Sequence, residues 1–287
     1  MRLLALPMFL VFPFVLAAVG AEVGTGSFRG SVGLQTYSLR NQIKQDGAKA
    51  LEFAKEQGFK EVEIGLENHY GMTREEMRDA LNKYGLKPVA AMAGLNYLLN
   101  KTDEAVENAN FFGVKYVGVA WAPHKPPLDE SQILKIAEDF NTAGKLLKEK
   151  GLQFFYHNHG FEFLPYKGDL TLFDLLMEKT DPDLVKYEMD VMWTFFPGQD
   201  PAKLLKKYPN RWILMHLKDL AKGVVGDHSG KTDVKNDVAI GSGQVDYPVL
   251  LKAAQEIGIK HYFIEDESPD VLTQIPKSLK FLSTVKF

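Results

Sequence analysis

Short apolar runs alternate with amphipathic stretches along most of the chain. The first run is residues 32–37, and the stretch after it, residues 46–57, carries Ala50, Leu51 and Ala54 at helical spacing. Short runs bounded by turn residues are typical of buried strands, and the longer stretches are typical of helices with one buried face. The predicted strands are residues 32–37, 61–64, 87–93, 116–122, 153–157, 185–190, 212–217 and 262–265.

The strict alternation of strand and helix indicates the fold class. Each parallel strand needs a helical crossover, so this order predicts a single-domain (β/α)8 TIM barrel of α/β class over residues 31–287. A doubly wound open sheet is the alternative, but no glycine-rich phosphate turn follows the first strand. The loops at residues 124–128 and 219–243 are longer than the others. Long loops at the C-terminal end of barrel strands usually carry function.

The first residues differ from the rest of the chain. Arg2 precedes an uncharged apolar run, residues 3–19, and small residues follow up to Ala21. This pattern predicts a secretory signal peptide, residues 1–21, and an exported protein that is periplasmic or secreted. A membrane anchor is the alternative, but the run is short and Pro7 and Pro13 interrupt it. Residues 22–30 are predicted to be a flexible segment.

Composition narrows the classes of partner. The chain is 45% hydrophobic and 25% charged, carries a net charge of −3 and has no cysteine. An exported protein without cysteine depends on its core and not on disulfides. Nucleic acid is not expected as a partner, because phosphate neutralisation needs clustered Lys and Arg. No stable membrane anchor is expected, and assembly into a homo-oligomer stays open.

Polar side chains lie at or just beyond the C-terminal ends of four consecutive predicted strands, where barrel enzymes carry their catalytic groups. Any one of them alone would be explained by packing or by an exposed loop. Carboxylates that point together repel one another unless a cation lies among them. Two Glu, one Asp and one His form an oxygen and nitrogen donor set that suits Mn²⁺, Mg²⁺, Co²⁺ or Zn²⁺. These four residues are Glu162, Asp190, His216 and Glu265.

In these segments the sequence resembles the sugar phosphate isomerase/epimerase family of xylose isomerase-like barrels, over nearly the whole mature chain. The motifs, in order, are residues 34–38 (LQTYS), 156–159 (YHNH), 161–163 (FEF), 188–193 (EMDVMW), 216–219 (HLKD), the 241–243 loop with Asp246, and 264–265.

The resemblance implies one divalent metal ion held by Glu, Asp, His and Glu. Asp190, His216 and Glu265 match the family's ligand positions. Ketose epimerases of the family carry a Glu within the fifth strand, where this chain has Phe155 or Tyr156. Glu162, just beyond that strand, is therefore predicted as the first ligand, with His159 as the alternative.

The same resemblance suggests a mechanism through an enediolate. Glu265 and Glu162 are predicted as base and acid on opposite sides of the metal, and Lys218 is predicted to neutralise the oxyanion. The predicted carbohydrate-binding residues are His157, His159, Trp193, Tyr37 and Trp121.

Three functions are compatible with this chemistry. The main prediction is a metal-dependent isomerase or epimerase that acts on a ketose or keto-sugar. The alternative is a metal-dependent 3-keto-glycoside lyase or hydrolase that uses the same proton abstraction. The predicted signal peptide favours this alternative. A non-catalytic carbohydrate-binding barrel is the second alternative, but a binder would not need two acid/base carboxylates.

Overall fold

The computed structural model describes residues 25–287. Eight parallel strands form a closed barrel, which confirms the predicted fold. The barrel strands are β1 (Ser31–Gln35), β2 (Glu61–Gly65), β3 (Lys87–Met92), β4 (Tyr116–Val119), β5 (Gln153–His157), β6 (Val185–Asp190), β7 (Trp212–Leu217) and β10 (His261–Ile264). Their order around the barrel is β1-β10-β7-β6-β5-β4-β3-β2. The short strands β8 (Asp219–Leu220) and β9 (Asp237–Val238) form a separate antiparallel pair.

Helices surround the barrel and cover the outer faces of its strands. Because both faces of each strand are buried, the strand sequences are largely apolar, as the hydrophobic runs predicted. The helices are α1 (Arg40–Glu56), α2 (Arg74–Tyr84), α3 (Leu95–Asn100), α4 (Thr102–Phe112), α5 (Glu130–Lys148), α6 (Leu172–Lys179), α7 (Val191–Phe195), α8 (Pro201–Lys207), α9 (Tyr247–Glu256) and α10 (Val271–Thr284).

Local sequence signals account for where two helices begin. Thr73 and Glu76 form a capping box at the start of α2, in which each side chain accepts a hydrogen bond from the other residue's backbone N–H. Helix α1 begins at Arg40, six residues before the predicted start, but its backbone leaves the helical conformation at Asp46. The Asp46 carboxylate accepts a hydrogen bond from the Lys49 N–H, so Asp46 caps the helical segment that follows the kink.

The barrel interior is apolar on the side nearer the N-terminal ends of the strands, which we call the lower part. Phe155, Leu214 and Phe263 pack there from β5, β7 and β10. A Cβ atom at Gly118 would lie 2.4 Å from the Phe155 ring, and one at Gly33 would lie 2.7 Å from Phe263, so glycine makes room for the large rings. Successive side chains of a strand point to opposite faces. The residues two positions further along these strands therefore face the interior one layer higher.

The long predicted loop after β7 turns back toward the C-terminal end of the barrel. The Asp219 carboxylate accepts hydrogen bonds from the N–H groups of Gly241 (2.9 Å) and Gly243 (3.0 Å), which ties both ends of the loop together. A Cβ atom at Gly243 would lie 2.2 Å from that carboxylate. The pairing of β8 with β9 carries Asp237 to within 3.5 Å of the Lys218 ammonium.

The predicted signal peptide, residues 1–21, lies outside the described residues, and export stays a prediction. The segment predicted as flexible is described from residue 25, and that part is attached to the barrel. The N–H groups of Gly26 and Ser27 donate to the carbonyl groups of Ser283 (3.0 Å) and Val285 (2.7 Å) at the end of α10. Between residues 25 and 287, no helix combines the length and the apolar character that a membrane crossing requires.

Candidate metal centre and active site

Four side chains meet on the barrel axis at the C-terminal ends of the strands. His157 ends β5, Asp190 ends β6, His216 lies on β7 and Glu265 directly follows β10. One donor atom from each lies within 4.8 Å of the other three. The His157 Nε2 atom is 3.8 Å from Asp190 Oδ2, and the His216 Nδ1 atom is 3.4 Å from Glu265 Oε2. We call these four residues the metal cluster.

Two donor atoms of the metal cluster have no hydrogen-bond partner among the described residues, although both are buried. They are Asp190 Oδ2 and His216 Nδ1. The other oxygen of Asp190 accepts a hydrogen bond from the Trp193 N–H (2.7 Å), which leaves Oδ2 directed at the cluster. Buried polar atoms without a partner are uncommon and costly. Two imidazoles and two carboxylates around such atoms fit a divalent ion such as Zn²⁺, Mn²⁺ or Co²⁺.

The structure does not bring Glu162 to the metal cluster, which corrects the prediction that it is the first ligand and a catalytic acid. Glu162 is fully buried outside the strand layer, where its carboxylate accepts hydrogen bonds from the Tyr156 hydroxyl and the His159 N–H. The short 3-10 helix at residues 161–163 directs it there. Burial raises the pKa of Glu162 to about 7. His157, predicted to bind substrate, occupies the fourth cluster position, and the alternative His159 does not.

Glu265 lies beside the buried ammonium group of Lys218. The Lys218 ammonium is 3.3 Å from Glu265, 2.5 Å from Glu267 and 3.5 Å from Asp237. Burial alone would lower the pKa of Lys218, but these carboxylates outweigh it and raise the pKa. Burial would likewise raise the pKa of Glu265, but Lys218 and His216 outweigh it and hold the pKa well below its usual range. Glu265 is therefore an ionised carboxylate.

Burial and neighbouring charges together set the protonation of the remaining cluster residues. It lowers the pKa of His157 well below its ordinary value, so that imidazole is neutral and can donate a lone pair. It raises the pKa of Asp190 to about 7. Burial also opposes a charge on His216, but the carboxylates of Glu188 and Glu63 outweigh it and raise the pKa of that imidazole well above its usual range.

These shifts predict that divalent-cation affinity rises with pH. A cation has to displace the His216 proton and, below about pH 7, the Asp190 proton as well. The logarithm of the binding constant should therefore rise by about two per pH unit below pH 7 and by about one above it. Calorimetric titration with Zn²⁺ in buffers of different ionisation enthalpy counts the released protons. An affinity that is constant between pH 6 and 8 would contradict this linkage.

A cavity of about 490 Å³ opens above the metal cluster. All five residues predicted to bind carbohydrate line it: His157, His159, Trp193, Tyr37 and Trp121. The His159 ring stacks on Trp193 at 5.5 Å and meets the edge of Trp121 at 5.1 Å. Trp121 and Tyr37 remain 40% and 39% exposed at the cavity mouth, so both rings are open to a ligand.

Sequence reasoning missed three residues near the site. Glu63 and Gln35 face the barrel interior from β2 and β1, and Asp237 comes from the loop after β7. A charged residue between Val62 and Ile64 was a signal for Glu63, because a carboxylate inside an apolar barrel strand needs a partner. No local signal marked Asp237.

The chain is similar to known proteins in both sequence and structure. The sequence matches the family described as Xylose isomerase-like TIM barrel over residues 51–285. It is 26% identical over 265 residues to a protein named inosose dehydratase from Clostridium perfringens, covering 80% of this chain and 85% of that protein. The solved structure of a sugar phosphate isomerase/epimerase from Parabacteroides distasonis superposes with a TM-score of 0.75 at 25% identity, covering 92% of this chain and 98% of that one.

A more distant solved structure, of the IOLI protein with a bound zinc atom, shares the fold at a TM-score of 0.65 and 15% identity, covering 88% of this chain and 95% of that one. The match to the family extends over most of the chain, from α1 to the end of α10. The chain therefore belongs to the xylose isomerase-like TIM barrel family, and it is an enzyme of the sugar isomerase/epimerase or related lyase kind.

Proposed function

We propose that this enzyme is a metal-dependent lyase that acts on an uncharged keto-sugar or keto-cyclitol. It removes the proton next to the substrate carbonyl and expels the oxygen substituent on the following carbon as water or an alcohol. Among the alternatives that the sequence left open, elimination has better support than isomerisation or epimerisation. The similarity to a protein named inosose dehydratase, over most of both chains, agrees with a lyase.

The arrangement of acid/base groups in the cavity is the observation that carries the proposal. The lining carboxylates Glu265, Glu267 and Asp237 surround Lys218 on one side. Glu265 follows β10, and Trp121 follows β4, which is diametrically opposite in the barrel order. Epimerisation removes a proton from one face of the substrate and returns one to the other, and the opposite wall carries no described carboxylate for that step. Elimination needs one base.

The proposed steps balance without a redox partner. A divalent cation held by the metal cluster would supply a Lewis acid for the substrate carbonyl. Glu265 accepts the proton from the neighbouring carbon, and the C–H electron pair forms an enolate. The electron pair of the enolate then forms the C=C bond as the C–O bond at the next carbon breaks, and the departing oxygen takes the proton that Glu265 accepted, which returns Glu265 to its carboxylate form. The Lys218 ammonium, 3.3 Å from Glu265, holds that carboxylate in place and supplies positive charge.

His159 is placed to hold the departing oxygen. Its Nδ1 atom is buried without a hydrogen-bond partner among the described residues, and its ring lines the cavity. Burial lowers the pKa of His159 to about 3, so the ring is neutral and offers one N–H donor and one acceptor. A hydroxyl or glycosidic oxygen of the substrate satisfies such a group.

The charges in the cavity favour a neutral substrate. Among the described residues that line the cavity, the one lysine is Lys231, in the loop after β7. Lys218 does not line the cavity and is already surrounded by three carboxylates. A phosphate group requires several free donors or a helix N-terminus. A single lysine at the mouth does not provide such a site, which argues against a sugar phosphate.

The exposed Trp121 ring is expected to contribute to binding and not to the chemical step. Stacking on an aromatic ring is worth about 0.5–1.5 kcal/mol, so Trp121→Ala should raise KM for a keto-glycoside by up to about tenfold. The rate constant kcat should change little, because Trp121 lies across the cavity from Glu265. Steady-state kinetics separates the two parameters. A variant with normal KM and much reduced kcat would show that Trp121 acts on the reaction itself.

The proposal is tested by product analysis in deuterated water. The purified protein is loaded with Zn²⁺ or Mn²⁺ and incubated with a 3-keto-glucoside, an inosose and a set of unphosphorylated ketoses, with metal-stripped protein as the control. A lyase gives an unsaturated ketone, visible by ultraviolet absorbance and NMR, together with water or the released alcohol. Formation of a deuterated epimer or isomer without any unsaturated product would overturn the lyase proposal in favour of isomerisation.

A further inference from the structure

A pair of buried carboxyl groups lies directly beneath the metal cluster. Glu63 on β2 and Glu188 on β6 are fully buried and face the barrel axis. They lie in the layer above the apolar side chains Phe155, Leu214 and Phe263. Neither Glu63 nor Glu188 lines the cavity that would hold substrate. Two carboxyl groups in such a position are costly unless they serve as acceptors for neighbouring donors.

Both histidines of the metal cluster contact this pair. The His157 Nδ1 atom and Glu188 Oε2 are hydrogen-bonded at 3.2 Å. The His216 Nε2–H group donates to Glu63 Oε1 at 2.9 Å, and Glu188 Oε2 lies 3.1 Å from the same nitrogen. The Gln35 amide also donates to Glu63, and its oxygen accepts from the Tyr37 N–H (3.1 Å). The carboxyl pair, on β2 and β6, is thus tied to three further barrel strands, β1, β5 and β7.

These contacts determine which ring nitrogen of each histidine faces upward. A neutral imidazole has one N–H donor and one lone pair, and the hydrogen bond made by one nitrogen fixes the role of the other. With Nδ1–H of His157 directed down at Glu188, its Nε2 lone pair faces the cluster. With Nε2–H of His216 directed down at Glu63, the unpartnered Nδ1 atom faces the cluster.

We propose that Glu63 and Glu188 are positioning residues that hold the two histidines in opposite tautomers, so that one divalent cation is bound through Nε2 of His157 and Nδ1 of His216. This inference rests on the metal site of the proposed function. Hydrogen bonds from metal-binding histidines to carboxylates orient the rings and raise their basicity, and losing one typically weakens metal binding about 10–100-fold.

A second cation is the competing interpretation, because Glu63, Glu188 and His216 also offer donor atoms within 4.8 Å of one another. Their hydrogen bonds argue against it. The His216 Nε2 atom and Glu63 Oε1 already serve as donor and acceptor, and the Gln35 amide would have to be displaced. One ion per chain is therefore expected, and the number of ions distinguishes the two interpretations.

The first test measures Zn²⁺ affinity by competition with a chelator. Glu188→Met removes the acceptor at similar size and should weaken binding about 10–100-fold, whereas Glu188→Gln keeps an acceptor oxygen and should lose less. Glu61→Met is the matched control. Glu61 accepts from His261 Nδ1 (2.9 Å) on the strand that carries Glu63, but at the N-terminal end of the barrel. Its affinity for Zn²⁺ should equal that of the wild type.

The second test reads the tautomers directly and does not depend on a variant that folds. In the ¹⁵N NMR spectrum of the zinc-loaded wild type, His157 should carry its proton on Nδ1 and His216 on Nε2. The same protonated nitrogen in both rings, two zinc ions per chain, or unchanged Zn²⁺ affinity in Glu188→Met would overturn the positioning role. A wild-type protein that binds no zinc would overturn the proposed function as well, so the two failures are distinguishable.

Discussion

Substitution of Glu265 by glutamine is expected to slow proton removal from the substrate by about two to four orders of magnitude, the usual contribution of a positioned base. Glu265 lies 3.3 Å from Lys218 and 3.4 Å from His216, and its pKa is held well below the usual range. Glutamine keeps the shape and one oxygen donor but cannot accept the proton. Part of the metal affinity should therefore survive while the chemistry does not.

The measurement is the wash-in of solvent deuterium at the carbon next to the substrate carbonyl, together with the rate of product formation. Both readouts serve for elimination and for isomerisation, since each begins with the same proton transfer. Glu162→Gln is the comparison variant, because that carboxylate contacts Tyr156 and the His159 N–H instead of the cavity. We expect its rate to stay within about tenfold of the wild type. Deuterium exchange near the wild-type rate in Glu265→Gln would exclude Glu265 as the base.

Loss of either central ligand should have the largest effect on metal content. Asp190→Asn replaces the unpartnered Oδ2 with an amide that offers a cation neither the charge nor, in one of its two orientations, an oxygen. His216→Ala removes the Nδ1 donor altogether. Because these residues would touch the cation, each substitution should weaken binding by more than the about 10–100-fold typical of an outer hydrogen-bond partner.

Elemental analysis of the purified variants and chelator competition measure this loss, and activity should fall with metal content. Glu162→Gln again provides the contrast, since a residue outside the metal cluster should leave Zn²⁺ content unchanged. Full occupancy in both Asp190→Asn and His216→Ala would mean that the ion binds elsewhere. Loss of metal in Glu162→Gln, with its fold intact, would restore Glu162 as the predicted ligand.

The first residue of the metal cluster shows the limit of prediction from local sequence, because the structure places His157 and not Glu162 at that position. Both residues come shortly after Phe155 in the sequence, and glutamate was the residue type expected for the first metal ligand. Side-chain alternation along β5 decides the outcome, because His157 faces the interior with Phe155, whereas Tyr156 faces the helices and packs against Phe140. The turn after β5 then directs Glu162 back toward Tyr156.

The sequence by itself determined the barrel fold and the end of the barrel at which the polar side chains cluster. Apolar runs and helical spacing are local patterns, and parallel strands in one barrel end at the same side. That is sufficient to place Asp190, His216 and Glu265 near one another, since each lies in the last two residues of a predicted strand.

Only the tertiary structure decided which further side chains complete the site. Glu63 lies 153 residues before His216, and no local pattern indicates that barrel closure brings the two within 2.9 Å. Asp237 reaches Lys218 because β8 and β9 pair across a long loop. The strand register and loop paths that set such contacts depend on packing of the whole chain, whereas hydrophobic periodicity is fixed by neighbours within one element.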